Sequence, residues 1–131
     1  MVASLRDDQA PHKFYRGGVI AYANEVKESV LQVPATILKE HGAVSEACAT
    51  AMAKGAKTLM QTDFAIASTG ILGPGGATCD KPIGTVFVGF ASGEKAWAKE
   101  LRLRAGRGRE RLREEVCTRA LLGAYRDLLT A

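Results

Sequence analysis

Apolar side chains recur along this chain with two spacings, and the first is the alternation typical of β-strands. Residues 18–22, 64–68 and 85–90 are short apolar runs. A further strand is predicted over 95–103, because Gly93 marks a turn out of the preceding run. The hairpin-like spacing of these last two runs predicts that they pair in antiparallel fashion.

The second spacing is helical, and it appears between and after the predicted strands. Asn24 is the predicted N-cap of a short helix, while Pro34 and Gly42 bound a second one. Ser45 is the predicted cap of a longer helix, whose inward residues would be Cys48, Met52, Gly55, Ala56 and Leu59. The last helix is predicted over 110–129, with an apolar face formed by Leu112, Val116, Ala120, Leu121, Ala124 and Leu128.

Strands interleaved with helices predict a layered α/β domain with a mixed sheet. At 131 residues the chain is long enough for one domain, residues 1–131, with a real core. Its hydrophobic share of 47% is near the average of soluble proteins. Since no apolar run approaches the roughly 18–20 residues of a membrane span and no signal-peptide pattern opens the chain, we expect no membrane partner.

The cysteines and histidines bear on metal binding and location. Cys48, Cys79 and Cys117 are an odd number without a Cys-x-x-Cys pair, and His12 and His41 stand alone. This pattern argues against a disulfide framework or a zinc site and favours a reducing compartment. We therefore expect a cytoplasmic protein.

Basic residues concentrate in one stretch, residues 95–113, where eight lysines and arginines face only Glu100 and Glu110. Such a patch could contact the phosphates of nucleic acid or of a nucleotide. Trp97 is the only aromatic residue there that could stack on a base, so nucleic acid is not the expected partner. The alternative is a solvated edge with ordinary solubility charges.

A glycine-rich stretch, residues 68–76, follows the predicted strand at 64–68. Its backbone N–H groups could wrap closely around an anion, although a plain surface turn is the alternative. The stretch is not a P-loop, because Gly75 is followed by Gly76 and Ala77 rather than by Lys and Ser or Thr. Prolines at 74 and 82 also exclude the helix that a dinucleotide-binding fingerprint requires.

A second candidate for chemistry is Lys27, three residues after the predicted cap Asn24. A cation near the positive end of a helix dipole is disfavoured, and a desolvated amine there could act as a general base. Tyr22, at the end of the preceding run, could help it to orient a nucleophile. The alternative is an ordinary surface lysine.

Four successive segments, residues 17–27, 41–46, 68–76 and 81–86, resemble the signatures of the CinA C-terminal domain family. Members of that family are nicotinamide-nucleotide amidases, which hydrolyse nicotinamide mononucleotide to nicotinate mononucleotide and ammonia. The resemblance implies a three-layer α/β/α sandwich with a mixed sheet, frequent homo-oligomers, and a reaction that needs no metal or other cofactor.

The same resemblance implies roles for individual residues, with a small-molecule mononucleotide as the partner. Lys27 and Tyr22 would be the catalytic helpers. The substrate-binding residues would be Ser68, Thr69, Gly70, Gly73, Gly75, Gly76, Thr85 and Arg109.

One departure from the family changes this expectation. The family's nucleophilic serine lies in an Ala-Glu-Ser-Cys-Thr-Gly-Gly motif after a first strand, and this sequence has neither the motif nor that strand. The chain could be a truncated amidase, a remnant that binds a nucleotide without turnover, or an enzyme in which Cys79 replaces the serine. We expect turnover to be impaired, since a base without a nucleophile has nothing to activate. Loss of the first strand would also leave a neighbouring strand exposed.

Overall fold

The computed structural model describes residues 14–130, with side chains described as far as Asp127. In this part of the chain the elements are α1 (Asn24–Ser29), α2 (Ala35–His41), α3 (Glu46–Met60), β1 (Phe64–Gly70), β2 (Thr85–Ser92), β3 (Lys95–Arg102) and α4 (Arg109–Thr130). None of these helices is long and apolar enough to cross a membrane.

The three strands form one sheet in the order β1-β2-β3. The last two make a hairpin in which Ser92 pairs with Lys95 around a two-residue turn, so the antiparallel pair predicted from the spacing is confirmed. β1 and β2 are also antiparallel, with Phe64 opposite Ser92 and Gly70 opposite Val86. Among the strands of the described part, therefore, no parallel pair contributes to the sheet.

Helices cover both faces of this sheet, because β2 carries apolar side chains on both of its sides. Val86, Val88 and Phe90 pack with the buried face of α4, which is formed by Leu112, Val116, Ala120 and Ala124. On the other face, Ala67 of β1 and Ala91 of β2 pack with α3 through Cys48, Met52 and Ala53. The α/β class and its three layers are confirmed.

α3 approaches the sheet unusually closely at Gly89. A Cβ atom on Gly89 would lie 2.1 Å from the backbone oxygen of Ala49, so only a residue without a side chain fits there. The predicted cap of α3 is also confirmed, since the Ser45 side chain accepts a hydrogen bond from the Cys48 N–H. Leu59, expected to face inward, is 48% exposed at the end of this helix.

The strand predicted at residues 18–22 is wrong for the described part of the chain. This segment is extended, and Val19 and Ala21 pack against the cluster around α3, but it pairs with no strand there. Ile20 and Tyr22 on its other side are 91% and 90% exposed. Alternation of apolar residues produced an extended chain, whereas a strand also needs a neighbour with which to form hydrogen bonds.

The predicted cap of α1 is one residue off. The helix begins at Asn24, its N-cap is Ala23, and no side chain caps it. The second short helix agrees with the prediction, because Pro34 precedes its first residue and Gly42 ends it with φ of 80°.

Candidate active site at the start of α3

Lys27 is the most deeply buried charged side chain in the described part of the chain, with 5% exposure. Its Nζ donates hydrogen bonds to the backbone oxygens of Ala21 at 2.8 Å and Tyr22 at 3.1 Å. An ammonium group has three protons, so one remains without a partner in this part of the structure. The side chain therefore lies inside the protein rather than in bulk water.

Tyr22 contributes its backbone, not its hydroxyl, to this arrangement. Its side chain is 90% exposed and makes no hydrogen bond to Lys27 among the described contacts. The structure thus does not join the two side chains as sequence reasoning expected. The physical reason is the alternation of the extended segment, which turns Ala21 inward and Tyr22 outward.

Cys48 lies in the first turn of α3, fully buried. Burial raises the pKa of its thiol above the usual value, although the charges of Lys27 and Lys81 act in the opposite direction. The thiol is therefore neutral at physiological pH, and its sulfur is a poor nucleophile. Both lysines are nevertheless close enough to Cys48 for their charges to be felt there.

Lys81 begins the segment at 81–86 and makes a contact that joins two parts of the site. Its Nζ donates a hydrogen bond to the His41 oxygen at 2.8 Å, at the end of α2. The Thr69 hydroxyl donates to the Ala43 oxygen at 2.7 Å, two residues further on. These contacts hold the end of β1 and the following loop against the connection between α2 and α3.

The glycine-rich stretch divides between a strand and a loop. Ser68, Thr69 and Gly70 belong to β1, so the loop itself spans residues 71–84. Because alternate residues face opposite sides of a sheet, Thr69 faces α3 whereas Ser68 faces the opposite side. Gly70 has a packing role, since a Cβ atom there would lie 2.7 Å from the Val86 side chain.

Within the loop, Gly73 is buried and has φ of 82°, a conformation that favours glycine. Its oxygen accepts a hydrogen bond from Arg109 Nη1 at 3.1 Å, which brings the first residue of α4 onto the loop. Gly75 and Gly76 are exposed, and a Cβ atom on Gly75 would meet nothing within 4 Å. The structure therefore brings Arg109 and the glycine loop together.

Thr85 follows the loop at the start of β2 and is 1% exposed. Its Oγ1 has no hydrogen-bond partner among the described residues. It lies on the same face of β2 as Gly89, which is the face that α3 covers. A buried hydroxyl without a partner is uncommon and costs stability, so its position needs a reason.

A groove of about 860 Å³ runs along α3 from its first residues, where His41, Ser45 and Glu46 line it, and neither Lys27 nor the glycine loop does. Its wall includes Leu31, Pro34, Ile37, Ala51, Ala96 and Trp97. In the described part of the chain, no three His, Cys, Asp or Glu side chains gather as metal ligands would.

The basic stretch at 95–113 is partly occupied by contacts within the chain. Arg102 bonds to Glu100 and Arg107 to Glu115, while Arg109 holds the Gly73 oxygen. Cys79, the other candidate nucleophile, is exposed on the loop. No described hydrogen bond joins it to Lys27.

The comparisons with known proteins agree with this architecture. The CinA C-terminal domain family matches residues 3–128. A CinA-like protein from Dictyoglomus turgidum is 50% identical over 101 residues, which is 76% of this chain and 24% of that protein. A putative competence-damage inducible protein from Thermoanaerobacter pseudethanolicus is 38% identical over 132 residues, covering 97% of this chain and 32% of that protein.

Solved structures extend the likeness to the fold. The crystal structure of a CinA superfamily protein from Klebsiella pneumoniae superposes with a TM-score of 0.93 at 32% identity, covering 99% of this chain and 80% of that one. The chain spans about a quarter to a third of the length of the two curated relatives above. Since the family match includes nearly the whole sequence, the chain belongs to the CinA C-terminal domain family.

Proposed function

We propose that this chain is an amidohydrolase-type domain acting on nicotinamide mononucleotide, with turnover impaired because the family's motif serine is absent. The products would be nicotinate mononucleotide and ammonia. The observation that carries the proposal is the Lys27 side-chain nitrogen, buried near the first turn of α3 and bonded only to backbone oxygens among the described residues. A surface lysine with a purely solubilising role would not be buried in this way.

The reaction requires a nucleophile that attacks the carboxamide carbon and a base that takes the proton of the nucleophile. Lys27 is the candidate for the base: as a neutral amine it keeps two N–H groups for the Ala21 and Tyr22 oxygens, and its lone pair takes the proton. The buried thiol of Cys48 is a poor nucleophile because its pKa is raised by burial, and Cys79 has no described contact with Lys27. The described residues thus supply a base without an activated nucleophile, which supports impaired turnover.

Substrate binding in this proposal falls to the glycine loop, Thr69, Thr85 and Arg109. The Arg109 bond to the Gly73 oxygen fixes the loop, and it leaves further guanidinium N–H groups for an anionic substrate. Tyr22 stays a proposed catalytic helper, although its exposed side chain would have to turn inward to contact Lys27.

The test is release of ammonia from nicotinamide mononucleotide by the purified chain, followed with a coupled dehydrogenase assay. We expect slow or undetectable release together with saturable binding in calorimetry. Absence of binding to any pyridine nucleotide would overturn the proposal. If the chain releases ammonia at an ordinary enzymatic rate and Lys27→Ala abolishes that release, the proposed amidase activity stands and the proposed impairment is refuted.

A second candidate function is a mononucleotide-binding module without catalysis. The hydrogen bond from Arg109 to the Gly73 oxygen fixes the glycine loop, which favours binding of a ligand there. No activated nucleophile lies near Lys27 among the described residues, which argues against catalysis. The two candidates differ in one measurement: a pure binding module never releases ammonia, even at high protein concentration over hours.

Location and assembly belong to the same proposal. We expect the domain to act in the cytoplasm as a homo-oligomer, without nucleic acid or a metal cofactor. Light scattering of the purified chain measures the assembly, and a single-chain mass at all concentrations would contradict it. A gel shift with DNA or RNA at low salt would contradict the expectation for nucleic acid.

A further inference from the structure

The extended segment before α1 has one side packed on the protein and one side open to solvent. From residue 14 to residue 22 the even-numbered residues are exposed and the odd-numbered ones are partly buried, without exception. On the partly buried side, Val19 and Ala21 join the cluster around α3. The exposed side, which we call the outer face, consists of Phe14, Arg16, Gly18, Ile20 and Tyr22.

The outer face is rich in large apolar side chains. Ile20 is 91% exposed, Tyr22 90% and Phe14 56%. These are three of the seven large hydrophobic side chains that are exposed among the described residues. Exposed apolar residues scattered singly are ordinary, whereas a group of them on one face of one segment marks an interaction surface.

The backbone of this segment is also available for pairing. None of its N–H groups donates a described hydrogen bond, and the only oxygens that accept one are those of Ala21 and Tyr22, from Lys27. Neighbouring residues of a strand direct their backbone groups to opposite edges, so Lys27 occupies the edge of Ala21 and not that of Ile20. Gly18 shares the edge of Ile20 and is exposed, although it consists of backbone alone. An open edge of this kind is a template for another strand.

A second copy of the chain fits this edge because the segment is complementary to itself. In an antiparallel pair centred on Ile20, the Ile20 side chains of the two copies lie opposite each other and leave water together. Tyr22 of each copy then lies opposite Gly18 of the other, where an aromatic ring covers the bare backbone of a glycine. Opposite residues of an antiparallel pair lie on the same face, so all these contacts form on the outer face.

The charges at the two ends of the segment agree with the same register. Arg16 is exposed and forms no described ion pair. Glu25, in the first turn of α1, is likewise exposed without a described ion pair. With Ile20 at the centre, Arg16 of each copy lies opposite Asn24 of the other, next to Glu25. Opposite charges therefore meet at both ends of the pair.

We propose that residues 16–24 of two copies pair as antiparallel strands around a two-fold axis at Ile20, so that the chain forms a dimer. The inference rests on the proposed function only for the expectation of a homo-oligomer, and it names the surface through which that assembly forms. Such an interface is isologous: each copy uses the same edge, and the pair is closed to a third copy.

The experiment measures the mass of the full chain by light scattering over a wide range of concentrations, because a short strand pair is a small and weak interface. The variants are Ile20→Glu and Ile20→Lys, which change an exposed side chain and should leave the fold intact. The matched control is Leu122→Glu, which places a charge at an apolar residue of α4 that is 62% exposed. Circular dichroism checks that every variant is folded.

We expect the natural chain and Leu122→Glu to approach twice the mass of a single chain. Ile20→Glu and Ile20→Lys should each dissociate, with a dimer Kd raised at least about tenfold, because like charges then face each other across the axis. An equimolar mixture of the two Ile20 variants should recover the doubled mass, since a carboxylate then faces an ammonium group.

Three other results overturn the inference. Doubled masses for Ile20→Glu and Ile20→Lys, each alone, would place the interface elsewhere and leave the expected homo-oligomer standing. A mixture of the two that stays at the single-chain mass would refute the pairing of Ile20 with itself. A natural chain of single-chain mass at all concentrations, with Ile20→Glu less stable in urea, would mean that residues 1–13 of the same chain cover the outer face. That last result also removes the expected homo-oligomer, while the ammonia and calorimetry assays still decide the proposed reaction.

Discussion

Arg109 Nη1 donates a hydrogen bond to the Gly73 oxygen at 3.1 Å, although the two residues are 36 positions apart in the sequence. The bond ties the first residue of α4 to the loop that follows β1. Because Gly73 is buried and Arg109 is exposed, the arginine holds the loop from outside. The same guanidinium is then in place to meet a ligand that enters beside the loop.

Arg109→Ala should therefore loosen the glycine loop with little effect on global stability. We expect a change of less than about 1 kcal/mol in the free energy of unfolding, since the side chain is exposed. Amides of residues 73–78 should exchange faster with solvent, and mononucleotide affinity should fall. Hydrogen exchange with mass spectrometry measures the first effect and calorimetry the second.

The control for this substitution is Arg111→Ala, which removes an exposed arginine two residues further along α4. It should leave both loop exchange and affinity unchanged. If Arg109→Ala and Arg111→Ala behave alike, general charge rather than the Gly73 contact holds the loop.

Lys27→Met should destabilise the chain although it removes a charge from the interior. Methionine keeps much of the apolar stem, but the oxygens of Ala21 and Tyr22 lose their donor. The expected cost is about 1–3 kcal/mol, the penalty of unsatisfied buried groups. Urea unfolding measures it, with the exposed Lys39→Met as the control.

Any ammonia release by the natural chain should also disappear in Lys27→Met. Release that survives at the natural rate, in a variant shown to be folded by circular dichroism, would remove Lys27 from the chemistry. A neutral effect on stability would mean that water replaces the ammonium beside the two oxygens.

Elements fixed by neighbours in sequence were predictable. The cap of α3 depends on Ser45 and Cys48, three residues apart, and the hairpin turn depends on Gly93; both were read from local pattern. The segment at 18–22 could not be settled in this way, since pairing of a strand depends on residues far away. Its alternation predicted the extended backbone but not the absence of a neighbour in the described part.

The site shows the same division. The bonds of Lys27 Nζ reach oxygens only five and six residues away, whereas the bond of Lys81 Nζ reaches the His41 oxygen, forty residues away. The outward side chain of Tyr22 was not predicted, because one residue of register in an extended chain decides between inside and outside. Sequence reasoning grouped Ser68 with Thr69, although β1 turns them to opposite faces.

Acid should weaken the contact between α4 and β3 through Asp127. Partial burial raises the pKa of this carboxyl, but hydrogen bonds from Lys99 and Trp97 outweigh it and hold the pKa below the usual 3.8. A carboxyl with a lowered folded-state pKa stabilises above its unfolded value, and this stabilisation disappears as pH falls through the folded value. The loss should therefore occur below about pH 4.

Asp127→Asn should reduce this acid sensitivity, because the group no longer titrates. Thermal unfolding midpoints of the natural chain and the variant are compared between neutral and acidic pH. Glu114→Gln, on an exposed position of the same helix, should keep the full acid sensitivity. A parallel fall for the natural chain and Asp127→Asn would refute a stabilising role for this carboxylate.

Gly89→Ala should be among the most damaging single-methyl changes in the chain. The added Cβ would lie 2.1 Å from the Ala49 oxygen, so α3 would have to move off the sheet. Overpacking of this kind costs about 1–3 kcal/mol or more. Gly75→Ala adds the same methyl group where nothing lies within 4 Å, and it should change the free energy of unfolding by less than about 0.5 kcal/mol.

The pair is measured by urea unfolding under the same conditions. If Gly89→Ala unfolds during purification, the soluble yields of Gly89→Ala and Gly75→Ala, expressed side by side, already rank the stabilities of the two variants. Equal stability of the two variants would mean that α3 does not approach the sheet at Gly89.

Thiol reactivity should separate the two cysteines that bear on catalysis. Cys48 is fully buried and burial raises its pKa, so its thiolate fraction at neutral pH is small and reagents cannot reach it. Cys79 is exposed on the loop. Iodoacetamide at neutral pH should therefore modify Cys79 within minutes and leave Cys48 unmodified until the chain is unfolded, as peptide mass spectrometry measures.

Since Cys79 has no described contact with Lys27, Cys79→Ser should leave mononucleotide binding and any ammonia release unchanged. Loss of release in Cys79→Ser, with binding retained, would instead identify Cys79 as the nucleophile that replaces the motif serine.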